Sequence, residues 1–73
     1  MFSLYYFLNM LIYQEITFCK VYEMPEDKEI ISGFADDLLV KSKIKISKYD
    51  VISFGITDED TLFINVREKD TLK

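Results

Sequence analysis

Pro25-Glu26-Asp27-Lys28-Glu29-Ile30-Ile31-Ser32-Gly33-Phe34-Ala35-Asp36-Asp37-Leu38-Leu39-Val40-Lys41 carries the strongest helical signature in the chain. Ile30, Ile31, Phe34, Ala35 and Leu38 recur at spacings of three and four, so a helical turn gathers them on one side. Glu29, Ser32, Gly33 and Asp36 fall on the other. Pro25 suits a first helical turn, where its missing N–H costs nothing, and Glu26 and Asp27 would face the positive end of the dipole. Lys41 and Lys43 would sit near the negative end. The stretch reads as the core helix, dividing an aromatic-rich N-terminal third from a strand-like C-terminal third.

Downstream of it, Lys43–Ser47 alternates, with Ile44 and Ile46 on one side and Lys43 and Lys45 on the other, which predicts a short strand. Lys48-Tyr49-Asp50 reads as a turn. Val51–Thr57 and Thr61–Arg67 then flank Asp58-Glu59-Asp60, a polar connection of hairpin length. Ile52, Phe54 and Ile56 share one face of the first arm; Leu62, Ile64 and Val66 share one face of the second. The polar tail 68–73 is expected to fray, although Leu72 could dock.

Upstream, Glu15–Glu23 reads as a strand, with Ile16, Phe18 and Tyr22 on one face and Thr17, Cys19 and Val21 on the other. Met1–Tyr13 is apolar except for Ser3 and Asn9. As a helix it puts Leu4, Phe7, Leu8 and Leu11 on one stripe; as a strand it puts Phe2, Leu4, Tyr6, Leu8, Met10 and Ile12 on one face. Aromatic content tilts the expectation toward strand. The run is shorter than the roughly 20 apolar residues a membrane span needs, and no Lys or Arg precedes Lys20 to mark a signal peptide or a basic anchor. A buried element is expected, with no membrane contact.

Composition bounds the rest. Seventy-three residues form one domain, with no internal disulfide available to the lone Cys19 and no histidine to serve as metal ligand or catalytic base. Thirteen acidic against nine basic residues leave a net charge of −4, which argues against a nucleic-acid binder using its whole surface. About half the residues are apolar, more than one small domain readily covers, so self-association through the N-terminal third, most simply as a homodimer, is expected.

Four constellations could carry chemistry. Phe34-Ala35-Asp36-Asp37-Leu38-Leu39-Val40 resembles the aromatic-x-Asp-Asp box of reverse transcriptases, whose aspartates hold two metal ions for nucleotidyl transfer. That chemistry needs a third carboxylate, a nucleotide pocket and a palm domain longer than this chain. The expected reading is a solvated acidic helix face. Asp58, Glu59 and Asp60 lack the alternation and central glycine of a calcium loop, and read instead as a charged contact point for a basic partner. Lys41, Lys43, Lys45 and Lys48 concentrate four of the nine basic residues, either as phosphate contacts or, more simply, as protection of an exposed strand edge. Tyr5, Tyr6, Tyr13, Tyr22 and Tyr49 suit an interface or a core rim. Cys19, inside an apolar strand and with no histidine to activate it, reads as an inert thiol.

The sequence therefore predicts a single α+β domain, one core helix on a mostly antiparallel sheet of three to five strands. The expected function is that of a small acidic, cytoplasmic protein-interaction module. It would be an inhibitor or regulator of the immunity or anti-defence type, occluding a macromolecular partner through Asp58, Glu59, Asp60, Tyr5, Tyr6 and Tyr13. No enzymatic activity, cofactor or metal is expected. The alternative is a nucleic-acid or phosphate binder using Lys41, Lys43, Lys45 and Lys48.

Overall fold

The computed structural model describes residues 3–11, 18–57 and 60–69. In chain order these residues form helix α1 (Leu4–Leu11), strands β1 (Phe18–Glu23) and β2 (Lys28–Phe34), and helices α2 (Ala35–Lys41) and α3 (Lys43–Ile46). Strands β3 (Tyr49–Ile56) and β4 (Thr61–Glu68) complete the order. The four-stranded sheet has the order β2-β1-β4-β3. Two antiparallel hairpins, β1–β2 and β3–β4, meet along a parallel β1–β4 pair at its centre. Parallel neighbours need a long crossover, and the α2–α3 segment supplies it.

The α+β class and the mostly antiparallel sheet agree with the sequence reading. The position of the helix does not. Of the stretch 25–41, only Ala35–Lys41 is helical; Met24–Asp27 is a turn and Lys28–Phe34 is strand β2. Two reasons favour the strand. Gly33, at φ 150°, occupies backbone space that residues with a Cβ rarely enter, and a glycine inside a helix costs about 1 kcal/mol. The β-branched pair Ile30-Ile31 also suits a pleated surface, and β1 needs an antiparallel partner on that side. Asp27, at φ 59°, closes the β1–β2 turn in the left-handed region that aspartate tolerates.

The N-terminal run is helix α1, not the expected strand. Ser3 caps it: its Oγ accepts from the Tyr6 N–H at 3.1 Å, and its carbonyl accepts from the Phe7 N–H at 3.0 Å. Leu4, Phe7 and Leu8 are buried, the i, i+3, i+4 stripe of an amphipathic helix. Phe2, Ile12 and Tyr13 lie outside the described residues. Lys43–Ile46, expected as a strand, is a single turn of helix, because the sheet needs only Ile46 from it. Ile46 is fully buried, whereas Ile44 is 80% exposed. The Ser47 hydroxyl closes that turn by donating to the Lys43 carbonyl. Tyr49 and Asp50, read as turn, already belong to β3.

The β3–β4 hairpin forms as expected. Within the expected strand 15–23, Phe18–Glu23 is β1; residues 15–17 lie outside the described residues. Of the expected tail, Glu68 ends β4, the Lys69 N–H donates to the Lys48 carbonyl at 2.8 Å, and 70–73 lie outside. Cys19 and Val21 of β1, Leu62, Ile64 and Val66 of β4, and Tyr49 and Val51 of β3 form one buried cluster. Leu4, Phe7, Leu8, Ala35, Leu38 and Ile46 from the helices complete it. Alternate strand residues point to one face, so the helices cover that face. The architecture is two layers, helices over sheet.

Candidate interaction surfaces

Because the helices pack on one side, the other sheet face carries residues of opposite parity. On it lie Phe18, Lys20 and Tyr22 of β1, Ser32 and Phe34 of β2, Phe63 and Asn65 of β4, and Ser53 and Gly55 of β3. The pairing Phe34↔Phe18↔Thr61 and Gly55↔Phe63 sets three phenylalanines at one end of the sheet. The Phe18 and Phe34 rings meet edge to face with centroids 5.2 Å apart. The Phe63 ring lies over Gly55: a Cβ there would come within 2.7 Å of Phe63 Cζ. Glycine thus lets the aromatic ring lie down on the neighbouring strand. Asn65 Nδ2 donates to Ser53 Oγ at 3.0 Å farther along. Phe34 is exposed, Phe18 and Phe63 half-buried, and no described helix lies on this face.

Acidic groups gather at the same end. Asp60 belongs to the β3–β4 connection, exposed and at φ 61°, with its N–H donating to the Thr57 carbonyl at 3.1 Å. Thr57 holds the loop closed by donating its N–H to Thr61 O at 2.8 Å and accepting the Thr61 N–H on Oγ1 at 3.3 Å. Asp58 and Glu59 lie outside the described residues. Asp36 and Asp37 follow Phe34 directly, in the first turn of α2 where carboxylates suit the helix dipole. Both are exposed, and Asp36 Oδ1 accepts the Asp37 N–H at 2.9 Å. Among the described residues no group of three or more His, Cys, Asp or Glu side chains is placed to hold a metal ion.

The tyrosines do not form one site. Tyr5 is half-buried on α1, with Lys43 Nζ 5.9 Å from its ring centre, and Tyr6 is exposed. Tyr22 is half-buried on the sheet face that no described helix covers. Tyr49 is buried, its phenol held above the ordinary 10.0 by desolvation and then by Glu23 and Glu68. Tyr13 lies outside the described residues. Cys19 is fully buried, and burial pushes its thiol up to about 11, away from the reactive thiolate.

The lysines do converge. Lys41, Lys43, Lys45 and Lys48 are exposed around one concavity of about 630 Å³, which Tyr49 and Glu68 also line. They do not protect a strand edge, since this segment is helical and turn. Lys45 Nζ donates to the Ile30 carbonyl at 3.0 Å, so one of the four charges is already engaged.

A third surface runs along β3, where Ile52, Phe54 and Ile56 are 46%, 55% and 66% exposed. Sequence reasoning placed these three on one face and missed that β3 lies at the edge of the sheet. A bulge between Val51 and Ser53 shifts the parity, so that Phe54 opposes Ile64 and Ile56 opposes Leu62 on the helix side. The helices reach only to Phe7, whose ring centre is 4.8 Å from that of Phe54. Beyond it Phe7, Met10, Leu11, Phe54, Ile56 and Leu62 line an apolar groove of about 490 Å³. The Phe18–Phe34 pair and the Phe63 ring over Gly55 were also missed. Its signal was present: Phe18 and Phe63 lie on the parity opposite the core residues of their own strands.

No helix among the described residues is long and apolar enough to cross a membrane. No family model matches the chain, and no curated protein and no solved structure matches it either.

Proposed function

We propose that the chain is a small acidic protein-interaction module, a non-enzymatic inhibitor or regulator that acts by covering part of a macromolecular partner. The observation that carries this reading is the edge-to-face Phe18–Phe34 pair, with Phe63 lying over Gly55 on the same sheet face, which no described helix covers. Interfaces concentrate binding energy in aromatic anchors and surround them with polar or charged groups. Toward the end of the sheet the surround is acidic, through Asp36, Asp37 and Asp60 and, in sequence, Asp58 and Glu59, while Lys20 stands beside Phe63 on the face itself. The partner best suited is therefore a protein with a shallow apolar patch edged by Lys or Arg. The proposed compartment is the cytoplasm, since the lone cysteine asks for no oxidising environment.

Capture from a host lysate tests the reading with three baits: the intact chain, Phe34→Ser and Asp60→Lys. A protein retained by the intact chain and lost from both variants is the expected result. Retention that both variants leave unchanged would remove the sheet face from consideration.

A second reading has an observation of its own, the convergence of Lys41, Lys43, Lys45 and Lys48 on one concavity. That arrangement favours a phosphate-bearing ligand. Glu68 in the same concavity and the engagement of Lys45 both weaken its field, which ranks this reading second.

A further inference from the structure

We propose that the concavity formed by α2, α3 and the start of β3 seats the headgroup of an anionic phospholipid, so that the chain rests on a lipid surface. The inference rests on the lysine concavity of the second reading and goes beyond it by naming the source of the phosphate. Val40 and Ile44 line the same concavity as Lys41, Lys43 and Lys48. Each is 80% exposed, which makes them the two most exposed large apolar side chains among the described residues. Ala35 and Leu38 form the buried side of α2, and Ile46 that of α3, so Val40 and Ile44 are left on the outer side.

The residue types decide the occupant. A lipid surface takes up aliphatic side chains at its acyl boundary and meets lysine ammonium groups at its phosphates. Protein interfaces instead favour aromatic residues and Arg and are depleted in Lys. This concavity holds four Lys and no Arg, and its exposed apolar side chains are aliphatic. Single-stranded nucleic acid needs an exposed aromatic platform, whereas Tyr49, the aromatic residue lining the concavity, is buried. Free phosphate leaves Val40 and Ile44 without a role.

The net charge of −4 does not oppose the contact, because the charges are unevenly placed. Asp60 lies beyond the far end of β3, a strand of roughly 20 Å, against a screening length of about 8 Å in physiological salt. Nearer acids are Asp36 and Asp37, one turn earlier on α2, and Glu68 in the concavity itself. Asp36 Oδ1 is turned back onto the Asp37 N–H, and Asp37 precedes Lys41 by four residues, the spacing at which opposite charges on a helix meet. Lys45 fixes α3 to β2 by donating to the Ile30 carbonyl, which leaves Lys41, Lys43 and Lys48 to face the headgroup against Glu68. The expectation of no membrane contact concerns the N-terminal run, whereas this surface belongs to α2 and α3.

Co-sedimentation of the intact chain with vesicles tests the proposal. Phosphatidylcholine vesicles containing roughly 30% phosphatidylserine should retain the chain, and vesicles of phosphatidylcholine alone should not. Lys41→Gln with Lys48→Gln should weaken binding by about 25-fold, or about fivefold for each charge. Val40→Ser with Ile44→Ser, at sites exposed enough to leave the circular dichroism spectrum unchanged, should weaken it by about tenfold or more. Glu68→Gln should strengthen it. The chain contains no tryptophan, so Ile44→Trp places a single reporter whose emission should shift to the blue on the anionic vesicles. Phe34→Ser should bind the vesicles as the intact chain does, which separates this site from the sheet face. Absence of binding to the anionic vesicles, or binding that the serine pair leaves unchanged, would overturn the proposal. Calorimetric binding of inorganic phosphate without any vesicle binding would overturn it while leaving the second reading in place.

Discussion

Gly33 and Gly55 do different jobs, and their substitution should show it. At Gly33 the backbone sits at φ 150°, and an added Cβ would also come within 3.2 Å of Leu38 Cδ2. Gly33→Ala should cost about 1–3 kcal/mol, the usual range for a residue held in a sparsely populated conformation. That loss lowers the melting temperature by several degrees per kcal/mol in a domain this size, which a thermal melt reads directly. Gly55→Ala meets only the rim of the half-buried Phe63 ring, which can lift, so its cost in the same melt should be the smaller. Cys19 supplies a pH prediction. A thiol whose folded value of about 11 lies above its unfolded 9.0 favours the fold in its neutral form. The contribution is complete below pH 9.0 and is lost as pH rises toward 11, with Tyr49 adding to the loss at the alkaline end. Denaturant melts at pH 8, 9, 10 and 11 should show falling stability, and Cys19→Val should flatten the earlier part of the fall. Legibility at this scale was good for Cys19, whose inertness follows from its apolar neighbours. It was poor for Gly33, which the periodicity placed on the solvent side of a helix.

At the scale of elements, α1 depends on one capping hydroxyl and one apolar stripe. Ser3→Ala should cost about 1 kcal/mol by leaving the Tyr6 N–H without its acceptor, and Leu8→Ala about 2–5 kcal/mol by opening a cavity at a fully buried site. Urea titrations of both variants test that order. The first turn of α2 is the opposite case. Asp36 and Asp37 are exposed, so the double change to Asn should move stability by no more than about 0.5 kcal/mol. Calorimetry with Mg²⁺ or Mn²⁺ should show no saturable binding to the unaltered chain; a site abolished by the double change would contradict this. The element errors share one cause. Pro25–Lys41, Met1–Tyr13 and Lys43–Ser47 each resolve into elements of eight residues or fewer, and over such lengths helical and strand periods fit equally well.

For the molecule as a whole, the charge distribution decides the ranking of ligands. A duplex held through the four converging lysines would lose about two orders of magnitude in affinity between 50 and 200 mM salt, at a slope near −0.9 per phosphate. With a net charge of −4 and Glu68 in the concavity, no duplex or single-strand binding is expected at physiological salt. A fluorescence-anisotropy titration checks this, and a micromolar complex lost on Lys41→Glu with Lys48→Glu would reverse the ranking.

Composition and local alternation by themselves determined the α+β class, the β3–β4 hairpin, the shared face of Cys19 with Val21 and that of Leu62, Ile64 and Val66, and the exposure of Asp36 and Asp37. These are properties of a residue and its near neighbours, written in hydropathy and turn chemistry. Only the tertiary structure decided that Lys28–Phe34 is a strand, because its reason for extending is the hydrogen-bonding edge of β1. The parallel β1–β4 pairing was likewise invisible, being a contact between segments about 40 residues apart that leaves no local period. That pairing sends β3 to the edge, exposes Ile52, Phe54 and Ile56, and places Phe18, Phe34 and Phe63 on the sheet face that no described helix covers. The surfaces on which function is proposed are products of strand order, and strand order is set by which apolar faces can be buried together.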